Sequence, residues 1–236
     1  MQTLEDLLSE GLKEYALSCP PEAVSAFRAY FEALEETNRV MNLTAISGEE
    51  DVARLHFLDC AALLTLADFS GRSVFDIGTG AGFPGLVLKI LCPDVKLTLL
   101  DSLDKRIGFL RQVCDRLQLD GVQCIHARAE EIPQGLRESA DIVTSRAVAS
   151  LNILAELCLP YVKEGWLFIA MKGPDFDAEL EEAKPAVKTL VGKCEKCVRY
   201  RIPGTEVTHS AILIRKIGKT PDPYPRRWAQ MRKKPL

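Results

Sequence analysis

Long hydrophobic runs are missing from this 236-residue chain. Its strongest apolar stretches, such as Leu97–Leu100 and Ile212–Ile214, fall far short of the roughly 20 residues a spanning helix needs, so a membrane protein is not expected. The first fifteen residues lack the basic start and apolar stretch of a secretory signal, which predicts a cytoplasmic protein. Metal-ligand patterns are scarce too. Of eight cysteines only Cys194 and Cys197 form a CxxC pair, and no second CxxC or HxxxH completes four ligands, so no metal is expected. Most of the other cysteines sit singly in apolar segments, as free thiols do in a reducing compartment. Disulfide staples are not needed at this size, where roughly 70–75% of the unfolded surface can be buried.

A strong net charge is also absent, since the chain sums to only −3. That figure hides a division. From Arg215 to Leu236 eight bases face the single acid Asp222, whereas the rest carries 22 bases and 32 acids. A polyanion can dock at one end without the whole chain being basic, and a merely solubilising tail is the competing explanation.

Helical spacing dominates up to about Phe69, through Leu4, Leu7, Leu8 and Leu12, then Val24, Phe27, Phe31 and Leu34, then Val52, Leu55, Leu58 and Leu63. Pro20 and Pro21 suit the start of a second helix, and Ser47 with Glu50 reads as a capping box for a third. From Gly71 the period changes. Strands are predicted at Ser73–Ile77, Lys96–Asp101, Val122–His126, Asp141–Ser145 and Trp166–Met171, and helices at Gly85–Cys92, Leu103–Leu117, around Gln134–Glu138, Ser150–Tyr161 and Asp177–Val191. This alternation specifies an α/β fold with a mostly parallel, Rossmann-like sheet. Cys197–Ile202 and Ser210–Lys216, with no helix between them, predict an antiparallel hairpin at its end. The expected organisation is a helical extension over 1–70, an α/β domain over 71–216 and a basic tail over 217–236.

The first strand runs into VFDIGTGAGFPG, Val74 to Gly85. A glycine-rich turn between strand and helix lets a ligand approach the backbone closely. Gly80, Gly82 and Gly85 also satisfy GxGxxG, the dinucleotide pattern, so a nicotinamide-dependent oxidoreductase is one reading. Asp76 argues against it, because a carboxylate just before the turn would stand beside a pyrophosphate. S-adenosylmethionine carries an ammonium and a sulfonium and no phosphate, so for that ligand Asp76 is favourable. Asp101, ending LTLLD, is placed to take ribose hydroxyls of either ligand, with a cap for the helix over 103–117 as its alternative role. Ala129 and Glu130 follow the third strand and Arg146 the fourth, where loops converge on the ligand crevice. On position alone, exposed surface charge is the lesser alternative for Glu130 and Arg146.

Two methylation motifs are missing. The [DN]PP[YF] sequence of amino-group methyltransferases is replaced by TSRAVAS, Thr144 to Ser150, and no ProCys or ThrCys presents the nucleophile of carbon-5 pyrimidine methylation. In the tail, Arg226, Arg227, Arg232, Lys233 and Lys234 interleave with Tyr224 and Trp228, a mixture suited to phosphate contacts and base stacking.

Together with DIGTGAGFPG, the segments MNLTAI (Met41–Ile46), HFLD (His56–Asp59), LLDSLDKRIGFL (Leu99–Leu110), RAEE (Arg128–Glu131), SRAVA (Ser145–Ala149), MKG (Met171–Gly173), YPRRW and KKPL closely resemble the bacterial 16S rRNA guanine-N7 methyltransferases, the RsmG or glucose-inhibited division protein B family. One departure is Cys60, where the family often has Ser after HxxD. The resemblance implies a class I methyltransferase using S-adenosylmethionine, with S-adenosylhomocysteine as product, on a guanine in the decoding region of the small ribosomal subunit or its precursor. It implies Gly78, Phe83, Ala129, Glu130 and Arg146 as cofactor contacts, to which Asp76, Gly80, Gly82 and Asp101 are added from the turn and charge arguments. His56 and Asp59, three residues apart on a helix, are left between function and helix packing. A monomer is expected. Guanine N7 has an in-plane lone pair and no proton, so direct in-line attack needs no general base, and Asp76 and Arg146 are expected to position rather than to carry protons. A non-catalytic, nucleotide-responsive RNA-binding module is the reading from a different class.

Overall fold

The computed structural model describes residues 2–146 and 149–236; Ala147 and Val148 of the SRAVA run, with Met1, lie outside the described residues. The first layer is helical: α1 (Leu4–Glu14), α2 (Pro21–Met41), then α3 (Glu49–Val52), a π-helical turn (Ala53–Leu58), α4 (Asp59–Ala61) and a 3-10 turn (Ala62–Thr65). Thr3 and Asp6 close a capping box at α1, and Pro21 occupies the first turn of α2. The third helix starts differently from expectation. Gly48, with φ +86°, is its N-cap, and no side chain caps it, so the Ser47–Glu50 box does not form.

A seven-stranded sheet follows, in the order β3-β2-β1-β4-β5-β7-β6. The strands are β1 (Ser73–Ile77), β2 (Lys96–Asp101), β3 (Val122–His126), β4 (Ala140–Arg146), β5 (Val162–Lys172), β6 (Gly192–Arg201) and β7 (Thr208–Lys216). β1 to β5 pair in parallel, and β7 joins β5 and β6 antiparallel, giving the expected hairpin. Helices α5 (Gly85–Leu91), α6 (Asp104–Arg116), α7 (Leu151–Cys158) and α8 (Asp177–Thr189) make the crossovers, and α9 (Trp228–Lys233) lies in the tail. The helix expected around Gln134–Glu138 is absent. That segment is a chain of turns, with Gly135 at φ +82° and Glu138 at φ +49°, conformations a helix does not admit.

Two cores flank the sheet. On one side Phe27, Tyr30, Leu34 and Phe57 pack with Leu86, Leu99 and Leu110, so the first seventy residues share a core with the sheet. On the other, Phe75, Leu154, Phe168 and Ile214 pack with Met231 of α9, and Tyr224 and Trp228 lie against them. The tail is thus part of the second core, and its backbone is held by the Arg137 guanidinium, which donates to the carbonyls of Tyr224 (2.8 Å) and Thr220 (3.1 Å). Among the described residues no helix is long and apolar enough to cross a membrane.

Candidate active site

A cavity of about 960 Å³ opens where the parallel strands end, the place at which open α/β sheets bind ligands. The turn after β1 forms its floor. Gly78 (φ +70°) and Gly80 (φ +61°) adopt left-handed backbone. A side chain at Gly80 would meet nothing nearer than the Gly78 carbonyl at 4.0 Å, so the space it would fill belongs to the cavity. From β2, Asp101 lines the same space: its Oδ2 accepts from the Gly80 amide at 3.0 Å and its Oδ1 from the Leu103 amide at 2.9 Å. This carboxylate thus ties the turn to the chain entering α6, whose N-cap Leu103 has no side-chain cap, and it also pairs with Arg106 at 3.3 Å.

Asp76 stands elsewhere than expected. It is fully buried and does not line the cavity. Its Oδ2 accepts from Thr79 Oγ1 (2.7 Å) and the Gly85 amide (2.9 Å), and its Oδ1 from Thr144 Oγ1 (3.3 Å), its register neighbour on β4. Burial pushes its carboxyl up to about 6, against the pull of those donors. Asp76 fastens the turn to the sheet from below, outside the lining of the cavity. Gly82 is likewise a packing residue: its φ is +103°, and a Cβ there would lie 2.6 Å from both Leu86 and the Tyr30 hydroxyl.

Phe83 lines the cavity and carries two groups. His56 stacks on it at 4.3 Å and Arg146 lies over the ring at 4.9 Å. The Arg146 guanidinium donates through Nη1 to the Leu55 carbonyl (3.3 Å) and Asp59 (3.1 Å), and through Nη2 to His56 Nδ1 (2.9 Å). A guanidinium only donates, so His56 Nδ1 is unprotonated and its Nε2–H points to Thr44 Oγ1, 2.9 Å away. Burial and the Arg146 charge push the His56 imidazolium down to about 3, so the ring stays neutral. Nε–H and one Nη2–H of Arg146 are left for a ligand among the described residues.

Asp59, fully buried, is the hub. Besides Arg146 it accepts from the Tyr200 hydroxyl on β6 and from His209 Nδ1 on β7, both at 2.9 Å. Four distant segments, HFLD, the end of β4, β6 and β7, thereby close around one carboxylate that also lines the cavity. Ala129 and Glu130 line the opposite end, the Ala129 carbonyl fixed by the Tyr161 hydroxyl at 2.8 Å.

The tail contributes Trp228 to the wall. Arg226 is not free for phosphate: Glu156, 1% exposed, takes its Nε (2.8 Å), Nη2 (2.6 Å) and backbone amide (2.8 Å). Its place in the RNA-binding set is corrected by this ion pair. Arg227, Arg232, Lys233 and Lys234 are exposed.

The rRNA small subunit methyltransferase G family model matches residues 23–203. The chain belongs to this family. Within the rRNA small subunit methyltransferase G family it is 42% identical over 234 residues to the protein of that name from Clostridium perfringens (strain SM101 / Type A), covering 98% of each chain. It is also 42% identical over 235 residues to the one from Acetivibrio thermocellus, covering 99% of this chain and 97% of the other. As a member of the family it is a methyltransferase. Among solved structures it is similar to TrmN from Thermus thermophilus, with TM-score 0.53 and 21% identity over 67% of this chain and 48% of that one. It is similar also to M. jannaschii TYW2 in complex with AdoMet, with TM-score 0.55 and 14% identity over 67% and 75%. These two share its fold. Sequence reasoning missed His209 in the cavity lining and Tyr200 behind it on Asp59, neither of which carried a signal, and named Trp228 only as a stacking residue of the basic tail.

Proposed function

We propose that this chain transfers a methyl group from S-adenosylmethionine to N7 of a guanine in 16S rRNA, in the decoding-region loop of the small ribosomal subunit or its precursor. The observation that carries the reading is the continuity of one cavity from the glycine turn, Asp101 and Glu130 to Arg146 and His209. One end suits a nucleoside with a cationic side chain; the other offers polar groups to a base.

The donor set fits S-adenosylmethionine. Asp101 suits ribose hydroxyls, the backbone at Ala129 and the side chain of Glu130 suit the far end of the nucleoside, and the two Arg146 N–H groups that make no bond among the described residues suit a carboxylate or a base carbonyl. When bound, the cofactor supplies an electrophilic methyl on a sulfonium. The chain's own part is alignment. Holding an acceptor in line at near 3–3.5 Å lowers a barrier by about 7–11 kcal/mol, and neutral N7 needs no proton removed. His56, neutral with both nitrogens engaged, takes no proton at working pH.

The nicotinamide reading is disfavoured by a bond. The Gly85 amide, which opens α5 and would be offered to a pyrophosphate, is taken by Asp76. The test is transfer of label from methyl-labelled S-adenosylmethionine to 16S rRNA, beside thermal protection by each cofactor. Label in the RNA with protection by S-adenosylmethionine supports the proposal; protection by a nicotinamide dinucleotide without transfer refutes it.

A further inference from the structure

We infer that His209 is a specificity-determining residue of this site, whose imidazole, held by buried Asp59, presents the Nε2 lone pair to the acceptor guanine and takes a hydrogen bond from its N1–H. The inference rests on the reading of the cavity as a guanine-methylating site.

His209 stands on β7 opposite Tyr200 of β6. Its side chain is about one-third exposed and lines the cavity. Its Nδ1 lies 2.9 Å from Asp59 Oδ1. A carboxylate can only accept, so the proton of the neutral ring sits on Nδ1, and Nε2 is left with a lone pair. No hydrogen bond is made to that Nε2 among the described residues. Its counterpart His56 is different, since both of its nitrogens are taken and its ring is buried. The wall therefore offers one oriented ring acceptor, fixed by a carboxylate that Arg146 and Tyr200 hold in place.

The chemistry matches guanine. Guanine presents N1–H as a donor, whereas adenine presents a lone pair at the same atom, which an acceptor would repel. As the methyl leaves sulfur and bonds to N7, the S–C bond breaks, the N7–C bond forms and the purine gains a positive charge. The N1–H becomes a stronger donor as this happens, so the bond to His209 tightens toward the transition state, which is where an interaction raises rate. No proton is transferred, and N1–H stays on the base.

The acceptor role is lost when the ring protonates. The groups packed around it are Asp59 from α4, Tyr200 from β6 and Arg146 from β4. The hydrogen bond to Asp59 raises the His209 pKa above its usual 6.5, with burial and the Arg146 charge opposing. Methyl transfer should therefore fall on the acid side of its pH profile, where the ring takes up a proton and the Nε2 acceptor is lost.

The test is single-turnover methylation of 16S rRNA between about pH 6.5 and 8.5 with the wild type, His209→Gln and His209→Leu, together with cofactor affinity by calorimetry and identification of the modified nucleoside. His209→Leu should lose about tenfold in rate, the size of one good hydrogen bond, with cofactor affinity unchanged and a lower melting temperature, because buried Asp59 loses a donor. His209→Gln offers an acceptor that does not titrate; it should retain more activity and lose the acid-side fall. A leucine variant at the wild-type rate, or an acid-side fall persisting in the glutamine variant, would overturn the inference. A wild type that forms no methylguanosine in 16S rRNA would overturn the reading of the site and this inference with it, whereas an active wild type with indifferent variants overturns the inference alone.

Discussion

The Tyr30 hydroxyl donates to the Ala81 carbonyl at 2.5 Å, so the first helical layer holds the glycine turn from behind. The next residue, Gly82, has no side chain where Tyr30, Leu86 and Leu110 converge. Tyr30→Phe should cost about 1 kcal/mol of stability and weaken cofactor binding by loosening the turn. Gly82→Ala adds a clash and a strained φ, and should cost about 3 kcal/mol. Urea unfolding and cofactor titration check both; a Gly82→Ala protein of normal stability and affinity would contradict the buttress.

Asp76 sets a pH dependence of stability. Its folded pKa is raised from 3.8 to about 6 by burial. The native state therefore binds the proton more tightly than the unfolded chain. This contribution is fully present below pH 3.8 and is lost as pH rises through about 6, amounting to about 3 kcal/mol by linkage. Asp76→Asn removes the titration. The stability of the wild type relative to this variant should fall between pH 4 and 7 in urea melts, and a rise would show that the carboxylate is instead favoured in its charged form.

Asp101 holds the turn and the chain entering α6, and in the proposed reading it also takes the ribose. Asp101→Ala should weaken S-adenosylmethionine binding by about 1.5–3 kcal/mol, the range for bonds to a charged group, and should also lower the melting temperature, because the Gly80 and Leu103 amides lose their acceptor. Calorimetry showing full affinity in the folded variant would remove Asp101 from the ribose site.

The tail has two separable halves. Arg226→Ala leaves Glu156 buried and unpaired and should cost about 3 kcal/mol. Replacing Arg227, Arg232, Lys233 and Lys234 by Ala should leave the melting temperature and cofactor affinity unchanged. Each phosphate contact adds roughly −0.7 to −0.9 to the slope of log affinity against log salt, so the slope for rRNA should flatten by about 3 if all four touch phosphate. An unchanged slope would make this half a solubilising surface.

Much of this was readable from residue order. β1, β2 and β3 coincide with the expected strands because short β-branched runs bounded by turns have few alternatives. The segment around Gln134–Glu138 was misread because five residues are too few to show a helical period. Asp76 was placed at the ligand because a one-dimensional pattern cannot say whether a strand-end side chain points into the cavity or under the turn. Gly82 owes its identity to Tyr30, and Asp59 its partners to Tyr200 and His209, contacts that exist only once distant segments are folded together. Arg226 counted with the phosphate-contacting bases of the tail, and its pairing with Glu156 on α7, seventy residues away, is not visible in the local sequence.

The most direct test is nucleoside analysis by mass spectrometry of 16S rRNA incubated with the protein and S-adenosylmethionine, with the modified position mapped. The account predicts 7-methylguanosine at a single guanine in the decoding-region loop, abolished when Arg146 is replaced by Ala in a protein that still folds. Methylation of another base or atom, or none with cofactor bound, would contradict it.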